Sequence, residues 1–198
     1  MTTLLFASHN AHKVEEIRAL IGSDYLLKGL SDMGFTDEIP ETGATLEANA
    51  EQKARFAYDM YKVPCFADDT GLEVDALHGA PGVYSARYAG ADGTQEQRSA
   101  ANVRRLLQEM EGVTGRSACF RTVVCYFDGR EARFFEGVVE GCITLQPSGT
   151  DGFGYDPVFM PDGMDRTFAE MPLQEKNGIS HRARAFAKFQ CFLAGHAE

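Results

Sequence analysis

The chain has 198 residues, a formal net charge of -10 at pH 7, and hydrophobic residues at 44% of its positions. This length and composition predict one compact α/β domain with a sizeable core. The acidic balance argues against a protein that holds nucleic acid through a basic face. A small phosphorylated ligand is still compatible with it, because a local basic pocket or a divalent metal can supply positive charge.

The cysteines and the N-terminus bear on the cellular compartment. The five cysteines are odd in number, widely spaced and without a CxxC pair: Cys65, Cys119, Cys125, Cys142 and Cys191. This usage is typical of reduced, mostly buried thiols in a cytoplasmic protein, and it disfavours a zinc site. The N-terminal apolar run is too short for a signal peptide and lacks its basic lead. No stretch reaches the roughly 18 apolar residues of a membrane span, so no membrane partner is expected.

Apolar spacing predicts alternating strands and helices in the first third of the chain. The predicted elements are a strand over 3–7, a helix over 11–21, a strand over 25–30, a helix over 45–61 and a strand over 63–67. The first strand is buried and leads directly into the first helix. The last of these strands enters the acidic pair Asp68-Asp69, which is therefore predicted at a strand end.

The rest of the chain predicts a helix, two long strands and a final helix. These elements cover 94–110, 118–127 and 133–143, and the last helix follows Ser180. Thr94 and Gln97 fit a capping box at the start of the first one. Asp128-Gly129 is a hairpin turn signal between the strands. This order predicts an α/β domain over residues 1–198 with a mixed sheet, rather than a purely doubly wound one.

Ser8, His9, Asn10 and Lys13 crowd hydrogen-bonding side chains just after the first strand, in the segment SHNAHK that spans residues 8–13. A helix start presents unpaired N–H groups and the positive end of the helix dipole, so it suits a phosphate. Lys13 lies one turn into the helix, near enough to reach a phosphate held there. The alternative is an N-cap, in which Ser8 or Asn10 satisfies those N–H groups unaided. The segment lacks the glycines of a Walker A loop.

Carboxylates are concentrated in two further segments. Asp68 and Asp69 are adjacent in FADDTGLEVDAL, and Glu41 lies in the loop IPETG. Adjacent carboxylates repel each other, and a divalent cation removes that cost; hard oxygen ligands suit Mg²⁺. The alternative for Asp-Asp-Thr-Gly is an ordinary turn. Taken alone, Glu41 is typical of a solvated loop residue, and Lys53 of a surface lysine on its helix.

A Gly-rich aromatic segment, GTDGFGYDPVF, precedes the basic segment EKNGISHRARAF. Its glycines allow a ligand to approach the backbone closely. Phe153 and Tyr155 are candidates for stacking on a planar base, and Asp156 for hydrogen-bonding a base edge or a sugar. Lys176 and the His181-Arg182 pair add positive charge or donors near a helix start. The alternative is a surface loop followed by an ordinary basic helix start.

Six segments together resemble the inosine triphosphate pyrophosphatase family, which acts on non-canonical purine nucleoside triphosphates. The segments are SHNAHK, PETG, EANAEQKA, FADDTGLEVDALHGAPGVYSARYAG, GFGYDPVF and EKNGISHR, in order from residue 4 to about residue 190. The resemblance implies a two-lobed α/β domain around a long mixed sheet flanked by helices, and a homodimer. It also implies Mg²⁺-dependent hydrolysis of ITP, dITP and XTP to the monophosphate and pyrophosphate.

The resemblance also implies roles for individual residues. Asp69 would be the proton acceptor, and Glu41 and Asp69 would be the metal ligands. Substrate-binding residues would be Ser8, His9, Asn10, Ala11, His12, Lys13, Lys53, Thr70, Arg87, Phe153, Gly154, Tyr155, Asp156, Lys176, His181 and Arg182. Two positions depart from the family's usual pattern: His9 stands where glycine is common, and Thr70 where serine is common.

The implied reaction is in-line attack of water on the α-phosphorus, with Asp69 orienting or deprotonating the water. Lys13, Lys53 and helix N-terminal amides would neutralise charge on the leaving pyrophosphate. Donors from Lys176 or His181-Arg182 to the 6-oxo group would reject adenine. Two alternatives stay open: a pyrophosphatase for other modified nucleoside triphosphates, and a nucleotide-binding module without turnover.

Overall fold

The computed structural model describes residues 2–21, 25–37 and 39–195. Its strands are β1 (Thr2–Phe6), β2 (Tyr25–Gly29), β3 (Cys65–Val74), β4 (Pro81–Gly82), β5 (Ser117–Phe127), β6 (Ala132–Ile143) and β7 (Phe159–Pro161). Its α-helices are α1 (Ala11–Leu20), α2 (Leu46–Tyr61), α3 (Gln95–Glu109), α4 (Leu173–Ile179) and α5 (His181–Ala194).

The strands form a mixed sheet in the order β2-β1-β3-β5-β6-β7, with β4 paired to β3 outside that path. β1 is parallel to both β2 and β3, and Leu4 lies opposite Leu27 in the first of these pairs. β4 is antiparallel to β3, and β7 is antiparallel to β6. The predicted α/β class with a mixed sheet is therefore confirmed.

The chain divides into two compact units, each with its own apolar core. The first unit takes in residues 1–69, 122–137 and 181–198, and the second takes in 70–121 and 138–180. In the first unit, the Phe6 and Phe66 rings stack with centroids 4.8 Å apart, and Phe189 packs against Phe66. In the second unit, Phe120 and Phe159 meet edge to face at 4.7 Å. β3 passes from one unit to the other immediately after Asp69.

Polar residues fix where the longer helices begin. The Thr45 hydroxyl accepts from the Ala48 N–H at the start of α2, as an N-cap residue does. The predicted capping box at α3 is present, because the Thr94 hydroxyl accepts from the Gln97 N–H and the Gln97 side chain accepts from the Thr94 N–H. Thr45 thus marks the start of α2, the helix that carries Lys53, and Thr94 marks the start of α3.

The acidic pair is where the structure contradicts the predicted elements. Asp68 and Asp69 do not end a strand or form a turn, since β3 continues through them to Val74. Both residues are buried. Cations from neighbouring elements pair with the two carboxylates. The apolar pattern also missed the short elements β4, β7 and α4, which are too brief to show a period.

The cysteines are free thiols, as predicted, but only Cys65 and Cys125 are buried. Cys119 and Cys142 are half-buried and Cys191 is exposed, so the expectation of mostly buried thiols was wrong for these three. Within the described residues, every helix is too short or too polar to traverse a bilayer.

Candidate active site

The loop before α1 is organised by its own side chains. Asn10 is the N-cap, and its Oδ1 accepts from the His12 N–H at 3.1 Å and the Lys13 N–H at 3.3 Å. The Ser8 Oγ accepts from the Asn10 N–H at 3.2 Å. The capping alternative therefore holds for Asn10. It also fixes the shape of the loop that was predicted to bind phosphate.

Lys13 projects from α1 into a buried network of four charges. Its Nζ donates to Asp68 Oδ1 at 2.9 Å, and Arg182 Nε donates to Asp68 Oδ2 at 3.0 Å. Arg182 also donates from Nη1 to Glu16 Oε2. The side chains of Asp68 and Arg182 are each 1% exposed. The network ties α1, β3 and α5 together within the first unit.

Charge pairing decides the ionisation of this network. Burial alone would raise the pKa of Asp68, but Lys13 and Arg182 outweigh it and hold that pKa well below its usual range. Burial would lower the pKa of Arg182, but Glu16 and Asp68 raise it above its usual value. The pKa of Lys13 is lowered because its burial is only partly offset by Asp68. Asp68 and Arg182 are therefore both charged at neutral pH.

Two carboxylates of the first unit converge on Lys53. Its Nζ donates to Glu41 Oε1 at 2.6 Å and to Asp69 Oδ1 at 3.0 Å. Burial would lower the pKa of Lys53, but Asp69 and Glu41 outweigh it and raise that pKa. The other oxygen of Asp69, Oδ2, accepts from Asn49 Nδ2 at 3.1 Å. Lys53 is thus a buried charged residue rather than a solvated lysine on the helix surface.

The pair formed by Glu41 and Asp69 suits a hard divalent cation. Among the described residues, no group of three or more His, Cys, Asp or Glu side chains could hold a metal ion. Mg²⁺ does not require such a group, because it usually keeps several waters and binds through one or two carboxylates and substrate phosphates. Both carboxylates already lie within hydrogen-bonding distance of one cation, the Lys53 ammonium. The residues present therefore fit Mg²⁺.

A second group of predicted residues lies in the second unit. Asp156 Oδ2 accepts from Lys176 Nζ at 2.6 Å and from the Phe153 N–H at 2.8 Å. The ammonium of Lys176 lies 5.0 Å from the centre of the Phe153 ring. Gly152 and Gly154 adopt positive φ angles of 72° and 65°, which only glycine reaches without strain. Phe153 remains half-buried and is a candidate stacking face.

Tyr155 does not offer a stacking face to a planar ligand. Its ring is 4% exposed and belongs to the core of the second unit. Its hydroxyl donates to the Ser85 carbonyl at 2.9 Å. Burial raises the pKa of this phenol far above its usual value. The interpretation of Tyr155 as a stacking surface is therefore corrected, because the ring is taken up by packing.

The remaining residues of the first loop and of α1 differ in exposure. The His9 ring stacks on Phe35 with centroids 5.4 Å apart. His9 Nε2 is buried and has no hydrogen-bond partner within the part of the chain that the structure describes. Ala11 is exposed at the start of α1, and His12 beside it is half-buried. His9 therefore packs against an aromatic ring from another segment of the chain.

Three further predicted residues lie outside these groups. Thr70 follows Asp69 in β3 and is half-buried. Arg87 is exposed, with its guanidinium carbon 5.4 Å from the centre of the Tyr84 ring. His181 is the first residue of α5 and is buried.

Two further residues of the first unit were given no role from the sequence, although Asn49 was noted on the same helix as Lys53. Glu16 pairs with Arg182, and Asn49 holds Asp69. Helical spacing relates both residues to a predicted site lysine, since Glu16 follows Lys13 by three positions and Asn49 precedes Lys53 by four. Residues at these spacings are neighbours on one face of a helix. Spacing alone could not show that these neighbours share a buried site rather than a solvated face.

Known proteins match this chain over nearly its whole length. It matches the Ham1 family over residues 4–192. A dITP/XTP pyrophosphatase of Porphyromonas gingivalis is 50% identical over 194 residues, covering 98% of each chain. One of Bacillus licheniformis is 47% identical over 197 residues, again covering 98% of each chain.

Solved structures agree with these matches. The Staphylococcus aureus Ham1 protein superposes with a TM-score of 0.86 at 37% identity, covering 98% of this chain and all of that one. A HAM1 protein from Coxiella burnetii gives the same TM-score at 36% identity, with the same coverage of both chains. The resemblance that the six segments indicate is thereby confirmed, and the chain belongs to the Ham1 family.

Proposed function

We propose that this chain hydrolyses ITP, dITP and XTP to the nucleoside monophosphate and pyrophosphate, and so removes them from the nucleotide pool. Relatives that are 42–50% identical are named dITP/XTP pyrophosphatase and align over almost the entire chain. The observation that carries the proposal is the convergence of Glu41 and Asp69 on Lys53 in a buried site. Two carboxylates placed this way suit a hard cation and a proton acceptor.

Asp69 is the proposed catalytic base. It accepts the proton of a water whose oxygen forms a bond to the α-phosphorus, while the bond from that phosphorus to the bridging oxygen breaks. Pyrophosphate leaves, and the monophosphate remains. The hydrogen bonds from Lys53 and Asn49 hold one oxygen each of Asp69, which supports a fixed orientation of its carboxylate.

Glu41 and Asp69 are the proposed ligands of Mg²⁺, which when bound would shield the substrate's phosphates and lower the pKa of a bound water. Lys13 and Lys53 would bind phosphate oxygens as point charges. Ser8 to His12 would shape the loop that meets the triphosphate. For Lys53, this role means exchanging its Glu41 partner for a phosphate oxygen when the metal and substrate bind, while its contact with Asp69 is kept.

Base recognition rests on the motif resemblance. We propose that Phe153 stacks on the purine and that Lys176 or His181-Arg182 donates to the 6-oxo group. The other proposed substrate-binding residues are Thr70, Arg87, Gly154, Tyr155 and Asp156. A homodimer and a cytoplasmic location belong to the same proposal.

A substrate panel tests this function. Pyrophosphate release is measured from ITP, dITP and XTP, and from ATP, GTP, dUTP and dTTP, with Mg²⁺ and with chelator. We expect turnover of the first three at rates at least about a hundredfold above ATP, because a site that donates to an oxo group leaves that donor unpaired against the amine of adenine. Equal rates on all seven would reject the proposed selectivity, and tight binding without release would indicate a non-catalytic module.

A further inference from the structure

Asn49 lies on α2 one turn before Lys53 and is fully buried. Both ends of its side-chain amide are used. Oδ1 accepts from the Gly43 N–H at 2.8 Å, and Nδ2 donates to Asp69 Oδ2 at 3.1 Å. The Gly43 N–H can only donate, so Oδ1 must face it and Nδ2 must face Asp69. The orientation of the amide is therefore determined by the backbone.

Gly43 lies directly against the helix that carries Asn49. A Cβ at position 43 would lie 2.7 Å from the Ala48 Cβ and 2.8 Å from Asn49 Oδ1, closer than real side chains come. The loop with Glu41 can lie this close only because residue 43 is glycine. Beside it, Gln52 Oε1 accepts from the Thr42 N–H at 3.0 Å. The loop is thus attached to α2 by two side-chain amides, of which the Asn49 amide also contacts Asp69.

We infer that Asn49 is a positioning residue for the reaction, an assignment that rests on the proposed function. It acts through Asp69, whose second oxygen it holds, while Lys53 holds the first. These two bonds, one to each oxygen, fix the plane of the carboxylate and leave each oxygen a further lone pair for a water or a metal. Through Gly43, the same amide fixes the segment that carries Glu41. One buried side chain thus sets the relative placement of the proposed base and the proposed metal ligand.

Substitutions at Asn49 test this inference, with Gln52 as the matched control. Asn49→Ala removes both bonds; Asn49→Asp keeps the acceptor for Gly43 and replaces the donor to Asp69 with a carboxylate oxygen that repels it. Gln52→Ala removes a bond to the same loop without any contact with Asp69. Turnover of ITP is measured with KM, and binding of a non-hydrolysable ITP analogue is measured by calorimetry. Thermal unfolding identifies the variants that fold.

We expect kcat to fall about a hundredfold in both Asn49 variants, because a small misplacement of a reacting group has an effect of that size. KM and analogue affinity should stay within about threefold of the wild type, since Asn49 orients a group without binding substrate. Gln52→Ala should keep its kcat. If Asn49→Ala fails to fold, Asn49→Asp alone decides.

Two results would overturn the inference. One is a folded Asn49 variant with wild-type kcat, and the other is a loss confined to KM and analogue affinity. A wild-type chain that releases no pyrophosphate from ITP would instead remove the proposed function, and the inference with it. Failure of the proposed function is seen in the wild-type chain before any variant is made, so it is distinguishable from failure of the inference about Asn49.

Discussion

Asp68 and Asp69 are adjacent in the chain but have different surroundings. Asp68 is enclosed by Lys13 and Arg182 and is 1% exposed. Asp69 shares Lys53 with Glu41, and its side chain is 10% exposed. Successive residues of a strand point to opposite faces, which allows one carboxylate to serve the buried network while the other faces a substrate. The two positions should therefore respond differently to the same substitution.

Asp69→Asn should lower kcat for ITP by about a thousandfold, because an amide cannot accept the proton of the attacking water. Stability should change little, since Lys53 keeps its pairing with Glu41. Asp68→Asn should instead lower the free energy of unfolding by about 3 kcal/mol, because Lys13 loses its ion-pair partner inside the protein. Steady-state kinetics and urea unfolding of both variants provide the check. Near-normal turnover in Asp69→Asn would reject its assignment as the base.

At the scale of elements, long periodic segments were predictable and short or charge-stabilised ones were not. The helix predicted over 45–61 is α2, Leu46–Tyr61, and the strand predicted over 133–143 is β6, Ala132–Ile143. The strand predicted to end near residue 67 continues to Val74, and cations from segments distant in the sequence neutralise its acidic pair. Local sequence cannot report such neutralisation. α4 has seven residues, too few for its period to stand out.

The same limit applies to the candidate site. The acidic pair, Lys13 and the loop before α1 could be proposed from residue types, whereas Glu41 and Lys53 received their roles only from the motif resemblance. The roles of Glu16 and Asn49 could not be predicted either way, because they depend on what these residues touch across the fold. Tyr155 was misread for the complementary reason: an aromatic ring in a Gly-rich loop can equally belong to a core.

Helix caps give a prediction that separates stability from function. Asn10→Ala removes the N-cap of α1, and Thr94→Ala removes that of α3. Each should lower the free energy of unfolding by about 1 kcal/mol, because helix N–H groups lose their acceptor. Only Asn10→Ala should also weaken binding of a non-hydrolysable ITP analogue, since Asn10 shapes the loop proposed to meet the triphosphate. Urea unfolding and calorimetry measure the two effects. An equal loss of affinity in Thr94→Ala would show that the effect on binding is only one of stability.

At the scale of the whole molecule, electrostatics oppose the binding of a polyanion. The chain carries a formal net charge of -10. The candidate site is not basic either. Lys13, Lys53 and Arg182 carry three positive charges there, whereas four carboxylates carry negative charge: those of Glu16, Glu41, Asp68 and Asp69. A triphosphate that approached this set alone would meet more negative than positive charge. Added positive charge has to come with the ligand.

Binding of the triphosphate should therefore depend on a divalent cation before any chemistry occurs. We expect the affinity for a non-hydrolysable ITP analogue to fall at least about tenfold when Mg²⁺ is replaced by chelator, because unshielded phosphates then face the carboxylates of Glu41 and Asp69. Glu41→Gln should reduce this dependence, since it removes one of those carboxylates. A DNA duplex should not bind with or without Mg²⁺, as the chain presents a net negative charge to it. Calorimetry at constant ionic strength measures analogue binding by the wild type, analogue binding by Glu41→Gln, and DNA binding. Equal analogue affinity in chelator would show that the lysines and Arg182 suffice, and that the cation serves only the later bond-breaking step.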